Sequence, residues 1–89
     1  MVTVKVAPLL RGYTHDKESV KVKGSSPMEC LHALVAKYPD LKRLLYGKDG
    51  ALLPRVALFL NNHRIHADEL NNRLKNGDEL LISVVIGGA

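Results

Sequence analysis

Four histidines and one cysteine are the side chains of this sequence that could bind a metal ion. His63 and His66 are three residues apart in a segment predicted as a strand, where an odd spacing turns two side chains to opposite faces. His32 lies two residues from Cys30 on a predicted helix, a spacing that does not bring two side chains together. Because no cluster of carboxylates joins them, we expect no metal site.

Cys30 is also the candidate nucleophile. It has apolar neighbours in the middle of the predicted helix, which is typical of a buried, unreactive thiol. His15 or His32 would have to activate it, and nothing in the sequence places either residue beside it. The glycines form no GxxxxGK phosphate-binding loop. The chain is therefore not predicted to be an enzyme on its own.

The C-terminal segment Gly87-Gly88-Ala89 is the remaining candidate for chemistry. Two glycines directly after a predicted strand add nothing to a core and are costly to order. Because they have no Cβ, they make a slender tail that can enter a narrow channel in another protein. Residues 86–89 would reach about 13 Å when extended. The dipeptide alone is equally consistent with a frayed terminus or a cloning remnant.

Composition restricts the function classes. With 89 residues, 46% of them hydrophobic, the chain has room for one domain with an aliphatic core. A single cysteine excludes an intramolecular disulfide, and no signal peptide or membrane-spanning stretch is visible, so a cytoplasmic location is expected. The net charge is +4, but the thirteen basic residues are spread along the chain. We therefore expect neither nucleic acid nor a membrane as partner.

The first half of the chain predicts a hairpin followed by a helix. Apolar residues alternate with others in residues 2–6 and again around residues 20–22, which indicates two strands. Pro8 and Gly12 predict a loop between them. Ser26-Pro27-Met28-Glu29 is a helix start, because Ser26 can cap the free N–H groups while Glu29 reaches back, and Pro27 suits the first helical position. The helix is predicted over residues 28–38, with Pro39 ending it, and a short second helix over residues 41–45.

The second half predicts three more strands, over residues 55–61, 64–66 and 79–85, with turns at Asn61-Asn62 and at residues 75–78. The first and the last of these are apolar on both faces. One long helix can cover only one face of such a mixed sheet, so an apolar patch should remain on the other. Its candidates are Phe59, Leu81 and Val85, unless the segment at residues 41–45 buries them.

Together these features resemble the MoaD/ThiS family of ubiquitin-like sulfur carriers, over nearly the whole chain and closest to its MoaD-like members. The resemblance is carried by the opening strand Val2-Thr3-Val4-Lys5-Val6, the helix at residues 28–38, the strand ending in Asn61-Asn62, the Lys75-Asn76-Gly77-Asp78 turn and the Val85-Ile86-Gly87-Gly88 tail. It implies an α+β fold of the β-grasp type, with a four- to five-stranded mixed sheet covered by one main helix. The domain would comprise residues 1–86 and the tail residues 87–89.

The resemblance implies a carrier that is not itself an enzyme and binds no cofactor. An E1-like adenylating enzyme would use ATP to activate the carboxylate of Gly88, with Gly87 keeping the tail slim. A sulfur donor would then convert it to a thiocarboxylate. A sulfur-accepting synthase subunit would use that sulfur in molybdopterin, thiamine or cysteine biosynthesis. Phe59, Leu81, Val85 and Ile86 would contact the partners.

The sequence departs from the family pattern at its end, because Ala89 follows the two glycines. A metallopeptidase could remove Ala89, or Ala89 could stand where the family has its final glycine; we favour removal, since a Cβ would crowd a narrow channel. The prolines common before the family's tail are absent, and the basic net charge differs from that of acidic members. The alternative function is a ubiquitin-like interaction or conjugation module without sulfur transfer.

Overall fold

The computed structural model describes residues 1–84. Their elements are β1 (Val2–Val6), β2 (Ser19–Val22), α1 (Pro27–Lys37), α2 (Lys42–Leu45), β3 (Val56–Leu60), β4 (His63–Ile65) and β5 (Glu79–Val84). Three short 3₁₀ segments, Pro8–Tyr13, Pro39–Leu41 and Ala67–Glu69, lie between them. The predicted last strand extends to residue 85, which lies outside the described residues.

The five strands form one mixed sheet in the order β2-β1-β5-β3-β4. β1 and β5 are parallel, while the β1–β2, β3–β5 and β3–β4 pairs are antiparallel. The predicted β-grasp sheet and its opening hairpin are confirmed. β5 is the central strand and is hydrogen-bonded along both edges, so the strand that precedes residues 85–89 is the one most firmly held by its neighbours.

The core lies between one face of this sheet and the helices. Its fully buried side chains are almost all aliphatic and come from alternate positions of the strands, as the period of two requires. Leu31 and Leu34 of α1 and Leu41 and Leu45 of the following segment pack into the same cluster. The segment at residues 41–45 therefore covers the core side of the sheet.

Helix α1 begins where the sequence predicted. The Ser26 hydroxyl accepts a hydrogen bond from the Glu29 backbone N–H at 3.2 Å, and Pro27 occupies the first helical position. The Glu29 carboxylate accepts hydrogen bonds from the backbone N–H and the hydroxyl of Ser25, each at 3.0 Å. Glu29 therefore reaches back across the helix start as predicted, and its partner is Ser25.

Two further predictions differ from the structure. Residues 8–13, predicted as a loop, form a 3₁₀ segment with Pro8 at its start. The strand predicted at residues 64–66 begins and ends one residue earlier, as β4. Asn61 and Asn62 both have positive φ angles, 49° and 72°, which gives a two-residue hairpin and brings His63 directly into pairing with Leu60.

The turn before β5 is tied to the turn after β3. Asp78 accepts hydrogen bonds from the Lys75 backbone N–H at 2.7 Å and from the Asn61 side-chain amide at 3.1 Å. The Asn61 side-chain oxygen in turn accepts from the Glu79 backbone N–H at 3.0 Å. These bonds fix the start of the central strand, and they favour the ionised form of Asp78, which lowers the pKa of its carboxyl.

This carboxylate makes stability depend on acid pH. Because the pKa of Asp78 is lower in the folded state, its contribution is present above the unfolded pKa of about 4 and is lost as the pH falls through the folded value. We expect Asp78→Ala to cost about 1 kcal/mol at pH 7, as for exposed hydrogen bonds, and less at pH 2–3. Urea unfolding at both pH values checks this. The exposed Asp68→Ala is the control, and an equal cost for D78A at both pH values would contradict the prediction.

Candidate functional site

The face of the sheet away from the core carries a small apolar patch. Phe59 and Leu81 are directly opposite each other in the β3–β5 pair, and both are partly buried. Neither belongs to the core cluster, whereas their neighbours Leu58 and Ile82 do. Ala57 lies on the same outer face of β3 and is buried. We call Ala57, Phe59 and Leu81 the outer patch.

Basic side chains border the outer patch. Arg64 of β4 lies opposite Phe59, with its guanidinium carbon 5.8 Å from the centre of the phenyl ring, which is a cation–π contact. Lys5 of β1 lies opposite Leu81, and its Nζ is 3.3 Å from Glu79 Oε2. Since both members of that ion pair are half exposed, it adds little to stability. The outer patch is thus a partly exposed apolar surface with a mainly basic border.

Arg64 is a residue of this surface that the sequence analysis does not identify. A short strand is predicted at residues 64–66, but the pattern gives no register for it. Once the turn at Asn61-Asn62 is known to contain two residues, pairing of Arg64 with Phe59 follows. The signal was therefore present in the turn, because consecutive asparagines suit a turn that requires positive φ at both central positions.

The remaining predicted site residues lie at the end of β5. Gly87 and Gly88, the proposed reactive end, and Val85 and Ile86, the proposed contact residues, are outside the described residues. Val84, the last described residue, pairs with Val56 and packs against the core. The structure therefore places Phe59 and Leu81 together, and its described residues end in the strand that carries Leu81.

Cys30 is buried, and His15 and His32 each lie against a tyrosine ring. Cys30 is fully buried, and burial raises the pKa of its thiol. A Cβ at Gly24 would lie 2.7 Å from the Cys30 sulfur, so the thiol fills a close contact at the start of the helix. His15 packs edge-on against Tyr38, and His32 lies 6.1 Å from the ring of Tyr46. The prediction of a buried structural cysteine is confirmed.

Among residues 1–84, no group of three histidine, cysteine or carboxylate side chains lies close enough to hold a metal ion. A shallow cleft of about 390 Å³ lies between α1 and the loop that follows α2, lined by His32, Lys42 and Tyr46 among others. Burial raises the pKa of the Tyr46 phenol. In the same described part, no helix has the length and apolar character needed to cross a bilayer.

Proteins of known structure share this fold, although comparisons of sequence alone find no match. No protein-family profile matches the sequence, and no curated protein sequence matches it. Among solved structures, small archaeal modifier protein 1 of Methanosarcina acetivorans superposes with a TM-score of 0.88 at 26% identity, over 99% of this chain and 95% of that one. The fold is that of the MoaD/ThiS-like, ubiquitin-like proteins. The predicted resemblance is confirmed.

Two other MoaD/ThiS-like neighbours were solved as complexes. A chain of the BexX/CysO complex of Amycolatopsis orientalis has a TM-score of 0.85 at 24% identity, over 100% of both chains. A chain of the complex between subunits 1 and 2 of the molybdopterin-converting factor of Helicobacter pylori has a TM-score of 0.64 at 25% identity, over 99% of this chain and 97% of that one. The likeness therefore extends over the whole domain.

Proposed function

We propose that this chain is a sulfur carrier whose reactive group is the carboxylate of Gly88. The observation that carries the proposal is the strand that precedes the tail: the central strand of a MoaD/ThiS-like sheet is described to Val84, and Gly87-Gly88 follow after two further residues of the sequence. The strand is held on both edges, so the domain acts as a rigid handle for the tail. The likeness to CysO and to molybdopterin-converting factor subunit 1 supports this reading.

The chemistry needs an activating partner. A bare carboxylate is a poor electrophile, so an E1-like adenylating enzyme joins a Gly88 carboxylate oxygen to the AMP part of ATP and releases pyrophosphate. A sulfide equivalent from a sulfur donor then attacks the acyl carbon, and AMP leaves with the electron pair of the broken bond. The product is a thiocarboxylate. The carrier supplies the substrate carboxylate and a docking surface, while ATP binds to the partner.

The outer patch supplies the docking surface in this proposal. Phe59 and Leu81 give it an apolar centre, and Val85 and Ile86 are proposed as further contact residues. The same surface serves the adenylating enzyme and, later, a sulfur-accepting synthase subunit. Both complexes among the neighbours support a synthase-type partner. The accepting pathway is of the molybdopterin, thiamine or cysteine type, and the acceptor is selected by the partner.

Removal of Ala89 is the finer part of the proposal. A tail that enters a narrow channel must be slim at its reacting end, and Ala89 would bring a Cβ to that position. A metallopeptidase that cleaves after Gly88 would produce the reactive carboxylate. The opposing possibility, that Ala89 itself is activated, leaves the same domain and partner surface in use.

Intact-mass spectrometry tests the carrier and its end together. The full chain and a chain ending at Gly88 are each incubated with the adenylating enzyme of the same organism, ATP and sulfide. Only the chain ending at Gly88 should gain a sulfur in place of an oxygen, and neither should do so without ATP. A thiocarboxylate on Ala89 would contradict removal. If neither chain gains sulfur, the carrier proposal is wrong.

Conjugation to other proteins is the second candidate function. The likeness to small archaeal modifier protein 1, at a TM-score of 0.88, favours it specifically. The activation step would be the same, but a lysine amine of a target protein would attack the acyl carbon in place of sulfide. Conjugates of higher mass, detected in cells with an antibody to the chain and lost in a variant without residues 87–89, would distinguish it from sulfur transfer.

A further inference from the structure

A second apolar surface lies beside the start of the tail, on the side of the sheet opposite the outer patch. It is a hollow of about 170 Å³ lined by Leu9, Leu10, Tyr13, Leu44 and Val84. Leu10 is buried in the core, and Val84 and Leu44 are packed against it. We call this surface the tail-side hollow.

The rim of the tail-side hollow is unusually exposed for apolar side chains. Leu9 is 57% exposed and Tyr13 is 40% exposed. Within residues 1–84, the third large apolar side chain that is exposed is Met1, near the start of β1. β1 and β5 are parallel, so Met1 lies toward the Glu79 end of β5 and away from Val84. Two of these three side chains therefore lie beside Val84, the last described residue.

The length of the tail restricts where an enzyme that acts on it can be. Gly88 follows Val84 by four residues, so its carboxylate is within about 13 Å of the hollow even when the tail is fully extended. A typical interface buries about 800 Å² on each partner and is therefore roughly 30 Å across. An enzyme holding the Gly88 carboxylate in its active site must cover surface at the base of the tail. The tail-side hollow lies within that footprint.

We propose that the enzyme that activates Gly88 inserts an apolar side chain into the tail-side hollow. This inference rests on the proposed function. The partner then contacts the carrier on both faces of β5, at the outer patch through Phe59 and Leu81 and at the hollow through Leu9 and Tyr13. Contacts on both faces fix the orientation of the carrier, and with it the direction of the tail, on the enzyme. Contact at one flat patch alone would allow the carrier to rotate. Contact residues close to an apolar pocket typically dominate binding energy.

The rim residues provide the test, because exposed side chains can be changed without opening the core. The substrate is the chain ending at Gly88, and the probe is the adenylating enzyme of the same organism, assayed by ATP–pyrophosphate exchange. Leu9→Ser and Tyr13→Ser should each raise the KM for the carrier about tenfold and leave kcat within twofold. Met1→Ser, obtained by cleavage of an N-terminal fusion, is the matched control and should leave both constants unchanged.

The outcomes separate the inference from the function on which it rests. ATP–pyrophosphate exchange with the unsubstituted chain ending at Gly88, together with an unchanged KM for L9S and Y13S, would overturn the hollow as a contact and leave the carrier role intact. If the unsubstituted chain ending at Gly88 supports no exchange, both the contact at the hollow and activation at Gly88 are wrong. Gel filtration addresses the remaining occupant, a second copy of the chain. A dimer that L9S converts to a monomer would overturn the inference, while a monomer for both supports it.

Discussion

Deletion of residues 87–89 is expected to abolish sulfur transfer completely and to leave the domain folded. Two glycines and one alanine carry almost no apolar side-chain area, so their deletion should cost the core little. The reacting carboxylate, in contrast, is removed with Gly88. We therefore expect sulfur transfer to fall to background. The free energy of unfolding, measured in urea, should stay within about 0.5 kcal/mol of the value for the full chain.

Binding to the partner separates this expectation from its rival. The chain without residues 87–89 retains Phe59, Leu81 and the mainly basic border of the outer patch. It should therefore still compete with the chain ending at Gly88 for the adenylating enzyme, though more weakly. Deletion of Ala89 alone is the control and should preserve transfer. If the chain without residues 87–89 still supports the cellular function, the protein is an interaction module and the tail has no chemical role.

The outer face of the sheet explains why a carrier can be small. An 89-residue domain has few side chains to spare beyond its core, and here β3 and β5 use both of their faces. Leu58 and Ile82 build the core, while Phe59 and Leu81, one residue away in each strand, form the outer patch. The same two strands therefore provide stability and the proposed recognition surface, and the tail continues directly from one of them.

Much of this fold could be predicted from local sequence signals. The alternation in β1 and β2 places apolar side chains at every second position, which specifies a strand with one buried face. Ser26 and Pro27 mark the start of α1 through two independent effects, capping and a preset φ angle. The apolar residues on both faces of β3 and β5 predicted an apolar patch outside the core, and Phe59 and Leu81 lie together on the outer face of the sheet.

The rest depended on tertiary contacts that no local pattern contains. Pro8 and Gly12 suggested an irregular loop, but Leu10 packs into the core and the surrounding residues form a 3₁₀ turn. As a result Leu9 and Tyr13 remain exposed beside Val84, a placement that sequence spacing could not provide. The contact between Arg64 and Phe59 likewise required the strand register.

The largest effect on stability is expected at Leu80, in the central strand. Its side chain is completely buried, and it faces the core between β1 and β3. Leu80→Ala removes buried methyl groups and leaves a cavity in a close-packed cluster, which typically costs about 3 kcal/mol. For a domain of this size the melting temperature should fall by more than about 10 °C.

Leu81→Ala is the matched variant, because it makes the same chemical change one residue away on the opposite face. Leu81 lies in the outer patch beside Phe59, outside the core cluster, so its loss should cost less than about 1 kcal/mol of stability. We expect L81A to raise the KM for the carrier in adenylation and L80A to lower the melting temperature. Pyrophosphate exchange and thermal melts of both variants measure the two effects. Equal losses of stability in the two variants would mean that both faces of β5 are structural, and the outer patch would then lose its proposed role as a docking surface.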